Sequence, residues 1–504
     1  MALRNWLRSR SANAPHHPAP RPRPRLGVQQ LEAREVPAAL VSALGIGSST
    51  DDVHTAARDV AADSAGNSYM TGRFSGTIDF DPGRTHPNDA DMLTARGFHD
   101  IFVSKHAPDG SLVWATRMGG ELPDPLSVDV EEGKSISVKN GVVAVTGYMR
   151  GTGDFGPYTL VSAGGNDGFV AKLDAATGAV GWAARWGTAG SDVGTGVDTD
   201  GAGNVYVLTE RPNHTLLKFS PSGSLVWSKF VCNPASTSGG GTEGDLAVDA
   251  AGNVYATGAF EGSADLNPGT RWKDVFSVYS RWSAGFALKL NANGTFVWAS
   301  PFVSQSVNGV VGFSNATSIA LDGSGNVFVG GNYGGPVDFN PGTGTASLPT
   351  AGGAFVTKLD SVGRLVWAQG LVKDVSAGGS AQVYGLATDA FGNVYATGYY
   401  YGTVDFDPGA GTDIRQSFQR DDGTRTNTDI FVVKLTGTGR LGWAETFGGR
   451  GYEYGHGVAV DPSGVVHLAG LYWSLSIDFD PDPLAIPALT KTGNNQWLFL
   501  VKLR

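Results

Sequence analysis

Five copies of one short motif carry the carboxylates best spaced for chemistry. They read Asp79-Phe80-Asp81-Pro82-Gly83, Asp265-Leu266-Asn267-Pro268-Gly269, Asp338-Phe339-Asn340-Pro341-Gly342, Asp405-Phe406-Asp407-Pro408-Gly409 and the partial Asp478-Phe479-Asp480-Pro481. Two oxygen-bearing side chains two residues apart, with backbone carbonyls close by, suit Ca²⁺, a hard cation that takes six to eight oxygens. The same residues also make a turn: the first Asp caps it, the Phe packs inward and Pro-Gly sets a type II bend. Asn at 267 and 340, and the loss of the second ligand in Asp154-Phe155-Gly156-Pro157, weaken a metal site and leave a turn intact. Calcium is therefore the one cofactor that the sequence suggests.

Aromatic side chains offer a second chemistry. Tyr399, Tyr400 and Tyr401, Tyr452 and Tyr454, Trp473, and the pair Trp272 and Trp282 all fall in or beside predicted connections. Aromatic faces in such places stack on sugars or peptides, or pack loops over neighbouring elements. The longest insertions, 269–285 and 409–429, are where element-specific function is expected. The nine histidines are scattered; His54 and His456 precede predicted strands and could face a channel mouth. No hydrolase triad, paired-Cys metal site or phosphate loop is present, and no catalytic residue is assigned. The single Cys232 excludes an internal disulfide framework.

These residues belong to a repeat, clearest in residues 383–449. Short runs of β-branched and aromatic residues (386–388, 394–397, 430–435 and 441–444) are separated by Gly, Asn and Asp. Such runs read as strands and are too short for helices. The D-x-x-G-N turn recurs at Asp63–Asn67, Asp200–Asn204, Asp249–Asn253, Asp322–Asn326 and Asp389–Asn393, with degenerate forms at 139–141 and 461–464. A tryptophan strand recurs at Trp114, Trp182, Trp227, Trp298, Trp367 and Trp443. Four strands every 70 residues or so predict an all-β propeller of four-stranded blades. Small residues in the first strands fit a crowded axis.

Seven turns meet only six tryptophan strands, because the chain stops at Phe499–Arg504 without a fourth strand. Leu40-Val41-Ser42-Ala43 stands where the missing strand would be. Residues 39–45 are thus expected to complete the last blade and close a seven-bladed ring, removing two sheet edges. The third unit departs from the pattern: Glu210-Arg211-Pro212-Asn213 replaces the long connection.

The tryptophan-bearing stretch Leu173–Trp182 resembles the docking motif of quinoprotein propellers. Only this unit carries the Thr-Gly, and one cysteine cannot supply the paired cysteines of quinoprotein alcohol dehydrogenases. A tryptophan clamp between blades is the reading kept. Residues 443–481 resemble the bacterial beta-propeller repeat called SBBP, in the order W-A strand, Gly-Gly turn, V-A-V-D strand, G-N-V-Y-type strand and D-F-P end. That resemblance implies a propeller in extracellular or cell-envelope proteins of unassigned activity.

Residues 1–38 form a separate segment. Residues 1–25 hold six arginines and no acid, which reads as a disordered basic tail, with no ordinary secretory signal. LGVQQLEAREVPA (26–38) resembles the LExRxVPA segment of exported bacterial surface proteins and implies export by an unidentified route. The formal net charge is −10, and removing those six arginines leaves 31 basic and 47 acidic residues. Such a surface disfavours nucleic acid, and no stretch is apolar enough to span a membrane. The sequence thus predicts a non-enzymatic extracellular or cell-surface scaffold over 39–504, a monomer, binding envelope polysaccharide or protein. The alternatives are a carbohydrate-active lyase or hydrolase with a central-channel site, and a calcium-stabilised architectural surface protein. A Tyr/His pair or several carboxylates converging at one channel mouth would favour the enzyme.

Overall fold

A computed structural model describes residues 39–47, 54–82, 84, 91–120, 131–211, 213–232, 244–267, 275–277, 282–340, 342–371, 378–418, 427–480, 489–491 and 495–504. Among them the secondary structure is all strand. Seven antiparallel sheets form the blades of a propeller, each of four strands, with Val337–Asp338 adding a fifth at the edge of one of them. Their innermost strands are Thr55–Ala62, Glu132–Lys139, Val193–Thr199, Asp245–Val248, Phe313–Leu321, Ser380–Thr388 and Glu453–Val460, for blades 1 to 7 in order. No helix among the described residues is long and apolar enough to cross a membrane.

The repeated side chains each do one job. In the turn after the innermost strand, Asp389 Oδ1 accepts the N–H groups of Phe391 and Asn393, while its Oδ2 accepts Asn393 Nδ2 and Tyr395 Oη. Gly392 supplies the positive φ of 77° that this hairpin needs. Tryptophan and lysine then tie several blades to the next. Trp367 Nε1 donates to Gly437 O at 3.1 Å and Lys358 Nζ to the same oxygen at 3.3 Å. Trp114 and Lys105 meet at Ala175 O in the same way. The apolar cores lie between neighbouring blades: Phe328 and Val356 of blade 5 pack with Val394, Phe406 and Phe431 of blade 6.

Leu40–Ile46 pairs antiparallel with Trp497–Leu503, and that pairing closes blade 7. The expected strand is therefore in place, ending at Ile46. In blade 3 the second and third strands, Val205–Arg211 and His214–Phe219, form a direct hairpin, as the missing connection required. The first strands are longer than their apolar runs suggested, since Ser380–Thr388 starts six residues before Leu386. Residues 1–38 and most of the 269–285 insertion, Trp272 included, lie outside the described residues.

Candidate functional site: a channel mouth built on bulges

The early start of the innermost strands brings in a β-bulge. Pairing shifts between Ala57 and Asp59, Gly133 and Ser135, Gly194 and Gly196, Ala316 and Ser318, Val383 and Gly385, and Gly455 and Gly457. The partner strand answers with glycine: a Cβ on Gly72 would lie 1.9 Å from Ala56 O. A bulge leaves one residue unpaired and re-aims its side chain. The residues so re-aimed are Arg58, Lys134, Thr195, Thr317, Tyr384 and His456, with Gly244 at the same place in blade 4. All seven line one central cavity of about 460 Å³.

The next residue in each strand locks the blades together. Asp59 Oδ2 accepts the N–H of Ile136 at 2.9 Å, Ser135 Oγ that of Val197 at 3.2 Å, Asp245 Oδ2 that of Ile319 at 3.2 Å and Ser318 Oγ that of Leu386 at 3.1 Å. Where glycine occupies the position the blades close up instead. A Cβ on Gly457 would lie 2.6 Å from Val60 N, and one on Gly385 3.2 Å from Val458 N. Burial raises Asp59 to about 6, against its own hydrogen bonds, and raises Asp245, with Asp59 adding to the effect, to about 7.

The bulge residues divide the ring. Blades 3, 4 and 5 contribute Thr195, Gly244 and Thr317, while blades 6, 7, 1 and 2 contribute Tyr384, His456, Arg58 and Lys134 in unbroken succession. The Tyr384 ring stacks on His456 at 5.4 Å, and Arg58 Nη1 lies 3.1 Å from His456 Nε2. Arginine only donates, so this nitrogen accepts; burial and then Arg58 hold the ring neutral, with its proton on Nδ1. Arg58 Nε reaches Glu132 Oε1 at 2.7 Å, Arg73 Nε the same oxygen at 3.5 Å and Lys134 Nζ Glu132 Oε2 at 3.2 Å. Burial works against the Glu132 charge, but Arg58, Lys134 and Arg73 hold its carboxyl well below the usual range. Tyr148 Oη also donates to Glu132 Oε2, and burial and that carboxylate push its pKa up to about 12.

Aromatic rings continue this crescent outward. Tyr384 meets Tyr399 at 5.6 Å, Tyr399 meets Tyr454 at 5.2 Å, Tyr454 meets Trp473 at 6.3 Å and Trp473 meets Tyr452 at 6.1 Å. All five are partly exposed. Of the aromatics singled out in the sequence, Tyr399, Tyr452, Tyr454 and Trp473 are thus brought together. Tyr400 faces the other side of its strand and is buried against Phe406, Tyr401 belongs to no described ring contact, and Trp282 stacks on Phe313 at the boundary of blades 4 and 5.

The Asp loops stay apart, one per blade. In all five the first Asp caps the turn: Asp79, Asp265, Asp338, Asp405 and Asp478 Oδ1 accept the N–H of Asp81, Asn267, Asn340, Asp407 and Asp480 at 2.8–3.0 Å. Phe80, Leu266, Phe339, Phe406 and Phe479 are fully buried. Among the described residues no group of three or more His, Cys, Asp or Glu side chains is placed to hold a metal.

Arg58, Lys134, Glu132 and Tyr384 were not foreseen, although a signal existed. Aligning the units on Asp59-Val60, Ser135-Ile136, Gly196-Val197, Asp245-Leu246, Ser318-Ile319, Gly385-Leu386 and Gly457-Val458 leaves one column before them. That column runs Arg, Lys, Thr, Gly, Thr, Tyr, His, and such scatter beside a regular column marks a place the repeat does not need.

No protein-family model matches the chain. An uncharacterized WD repeat-containing protein of Acanthamoeba polyphaga mimivirus is similar, with 24% identity over 469 residues covering 77% of this chain and 32% of that protein. The chain thus spans about a third of that relative's length. Among solved structures, BamB from Moraxella catarrhalis is similar at 12% identity and a TM-score of 0.39, over 93% of this chain and 100% of that one. A catalytically inactive virginiamycin B lyase from Staphylococcus aureus is similar at 7% identity and a TM-score of 0.41, over 92% and 99%.

Proposed function

We propose that this propeller is a non-enzymatic binding scaffold, exported and held at the cell surface, that takes envelope polysaccharide at the channel mouth formed by blades 6, 7, 1 and 2. The observation that carries the reading is the run of partly exposed rings from His456 and Tyr384 through Tyr399 and Tyr454 to Trp473. Successive aromatic faces meet the apolar faces of successive sugars, and their rigidity keeps the ordering cost low. Rings lodged on two adjacent blades hold a fixed spacing, as a polymer of regular repeat requires. The test is retention of the full chain on the polysaccharide fraction of a bacterial envelope, with Tyr384→Ala and Trp473→Ala alongside. Retention that falls in both variants is expected. Retention unchanged in both removes the reading, and retention on the protein fraction alone moves the partner to a protein.

The stacked Tyr384–His456 pair beside Arg58 favours a second reading, an elimination on an acidic sugar. A base at the mouth would take the proton on the carbon next to the carboxyl group. That electron pair forms the double bond, the β carbon–oxygen bond breaks, and the leaving oxygen takes a proton from a general acid. The unsaturated product absorbs in the ultraviolet. A rise in absorbance on incubation with polyuronate that is lost in His456→Ala would replace the scaffold with a lyase.

A further inference from the structure

The chain is acidic overall, with a formal net charge of −10, yet the mouth gathers three cations on two adjacent blades. Arg58 and Arg73 come from blade 1 and Lys134 from blade 2, with side chains 22%, 23% and 12% exposed. Against them stand the buried Glu132 and, one residue beyond Arg58, Asp59, whose oxygens are engaged by Ser135, Ile136 and Val60. His456 adds no charge. Among these groups three cations face two carboxylates where Tyr384, through His456, adjoins Arg58; the same cavity also carries Lys139, paired with Asp198, and Asp245. The geometry points to a carboxylate-bearing polysaccharide, a polyuronate, as the ligand of this mouth: the guanidinium and ammonium groups take the carboxyl of one sugar while the ring ladder takes the faces of the next.

Two features favour this ligand over other anions. A planar guanidinium matches a carboxylate in shape and charge. Glu132 orients Arg58 from behind through Nε, a bond that also fixes where Nη1 lies.

The inference rests on the scaffold reading above, and its test separates the two. The full chain is titrated with polygalacturonate, with its methyl ester and with a neutral galactan. Binding to the acid form about tenfold or more tighter than to the ester is expected, because a hydrogen bond to a charged group is lost on esterification. Arg58→Gln should bring the acid form to the level of the ester, and Tyr384→Ala should weaken both forms together. Because Arg58 compensates a buried Glu132, Lys134→Gln is measured beside it, with thermal melts of each variant; a smaller loss in the same direction is expected from Lys134→Gln. Equal binding of acid and ester overturns the uronate ligand and leaves a scaffold for neutral sugar. Binding of the acid that survives both charge variants traces to the arginines of residues 1–25, and it too overturns the inference. Binding of no polymer removes the scaffold reading itself.

Discussion

Asp59 Oδ2 accepts the N–H of Ile136 across the boundary between blades 1 and 2 at 2.9 Å. In blades 1, 2, 4 and 5 the side chain at this position reaches the backbone of the next blade, as aspartate or as serine, and in the other three a close-approaching glycine stands there. Asp59→Ser should therefore fold with near-native stability, as Ser135 and Ser318 do the same work. Asp59→Ala leaves the buried N–H of Ile136 without an acceptor and should cost about 1–3 kcal/mol. Urea denaturation of the two variants checks this; equal midpoints would remove the latch.

Asp429 stands where Asp100 and Asp167 stand in blades 1 and 2, at the start of the third strand. Arg117 and Arg185 pair with those two at 2.6 Å. Blade 6 has Thr446 opposite Phe431, the register that Arg117 holds opposite Phe102. Burial, with Glu453 nearby adding to it, raises Asp429 to about 8. A carboxyl raised in the folded state contributes stability that is full below its ordinary pKa and is lost as pH climbs through the raised value. The melting temperature should therefore fall from about pH 4 to pH 8 in part through this group, and Thr446→Arg should flatten the fall. Melts across that range for both chains test it, an unchanged slope in the variant being the contrary result.

Trp367 and Trp227 occupy the same place in blades 5 and 3, but only the first uses its indole nitrogen. Trp367 Nε1 donates to Gly437 O, whereas Trp227 Nε1 is buried without a hydrogen-bond partner. Trp367→Phe should cost about 1 kcal/mol more than Trp227→Phe, since only one of them loses a hydrogen bond. Paired chemical denaturation curves give the difference directly.

Asp405 Oδ1 already accepts the N–H groups of Asp407 and Asp413, and Asp407 Oδ1 that of Gly409. Removal of calcium by a chelator should consequently leave the melting temperature where it was. Asp405→Ala should cost about 1 kcal/mol through the lost turn bonds. A calcium-dependent rise of several degrees, abolished by Asp407→Asn, would bring back the metal.

The ring, its seven blades and the strand that closes it were legible because turns and tryptophans report local geometry, and local geometry repeats. The crescent was not. Alternation along a strand assigns faces only while pairing is regular, and the bulge inserts one residue where Arg58, Lys134, Tyr384 and His456 stand. His456 drew notice as a residue near a channel mouth, but its neighbours come from blades far apart in sequence. The tyrosine triplet shows the limit from the other side: Tyr399 reaches the mouth and Tyr400, one step along, is core. The Asp loops drew attention by their spacing, and in the fold the first Asp of each caps a backbone turn.

The pairing of Leu40–Ile46 with Trp497–Leu503 also sets a timetable. Each of blades 1 to 6 is a contiguous stretch that can assemble as it leaves the ribosome, before the next is made. Blade 7 cannot, because its outermost strand is made first and must wait for the last residues of the ring. Thr55 Oγ1 bonds Gln496 O across 441 residues of chain. Loop-closure entropy grows only with the logarithm of length, so the finished ring bears this at modest cost. The burden falls on the growing chain, which carries an unpaired strand until the last strand of the ring is made and only then can close blade 7.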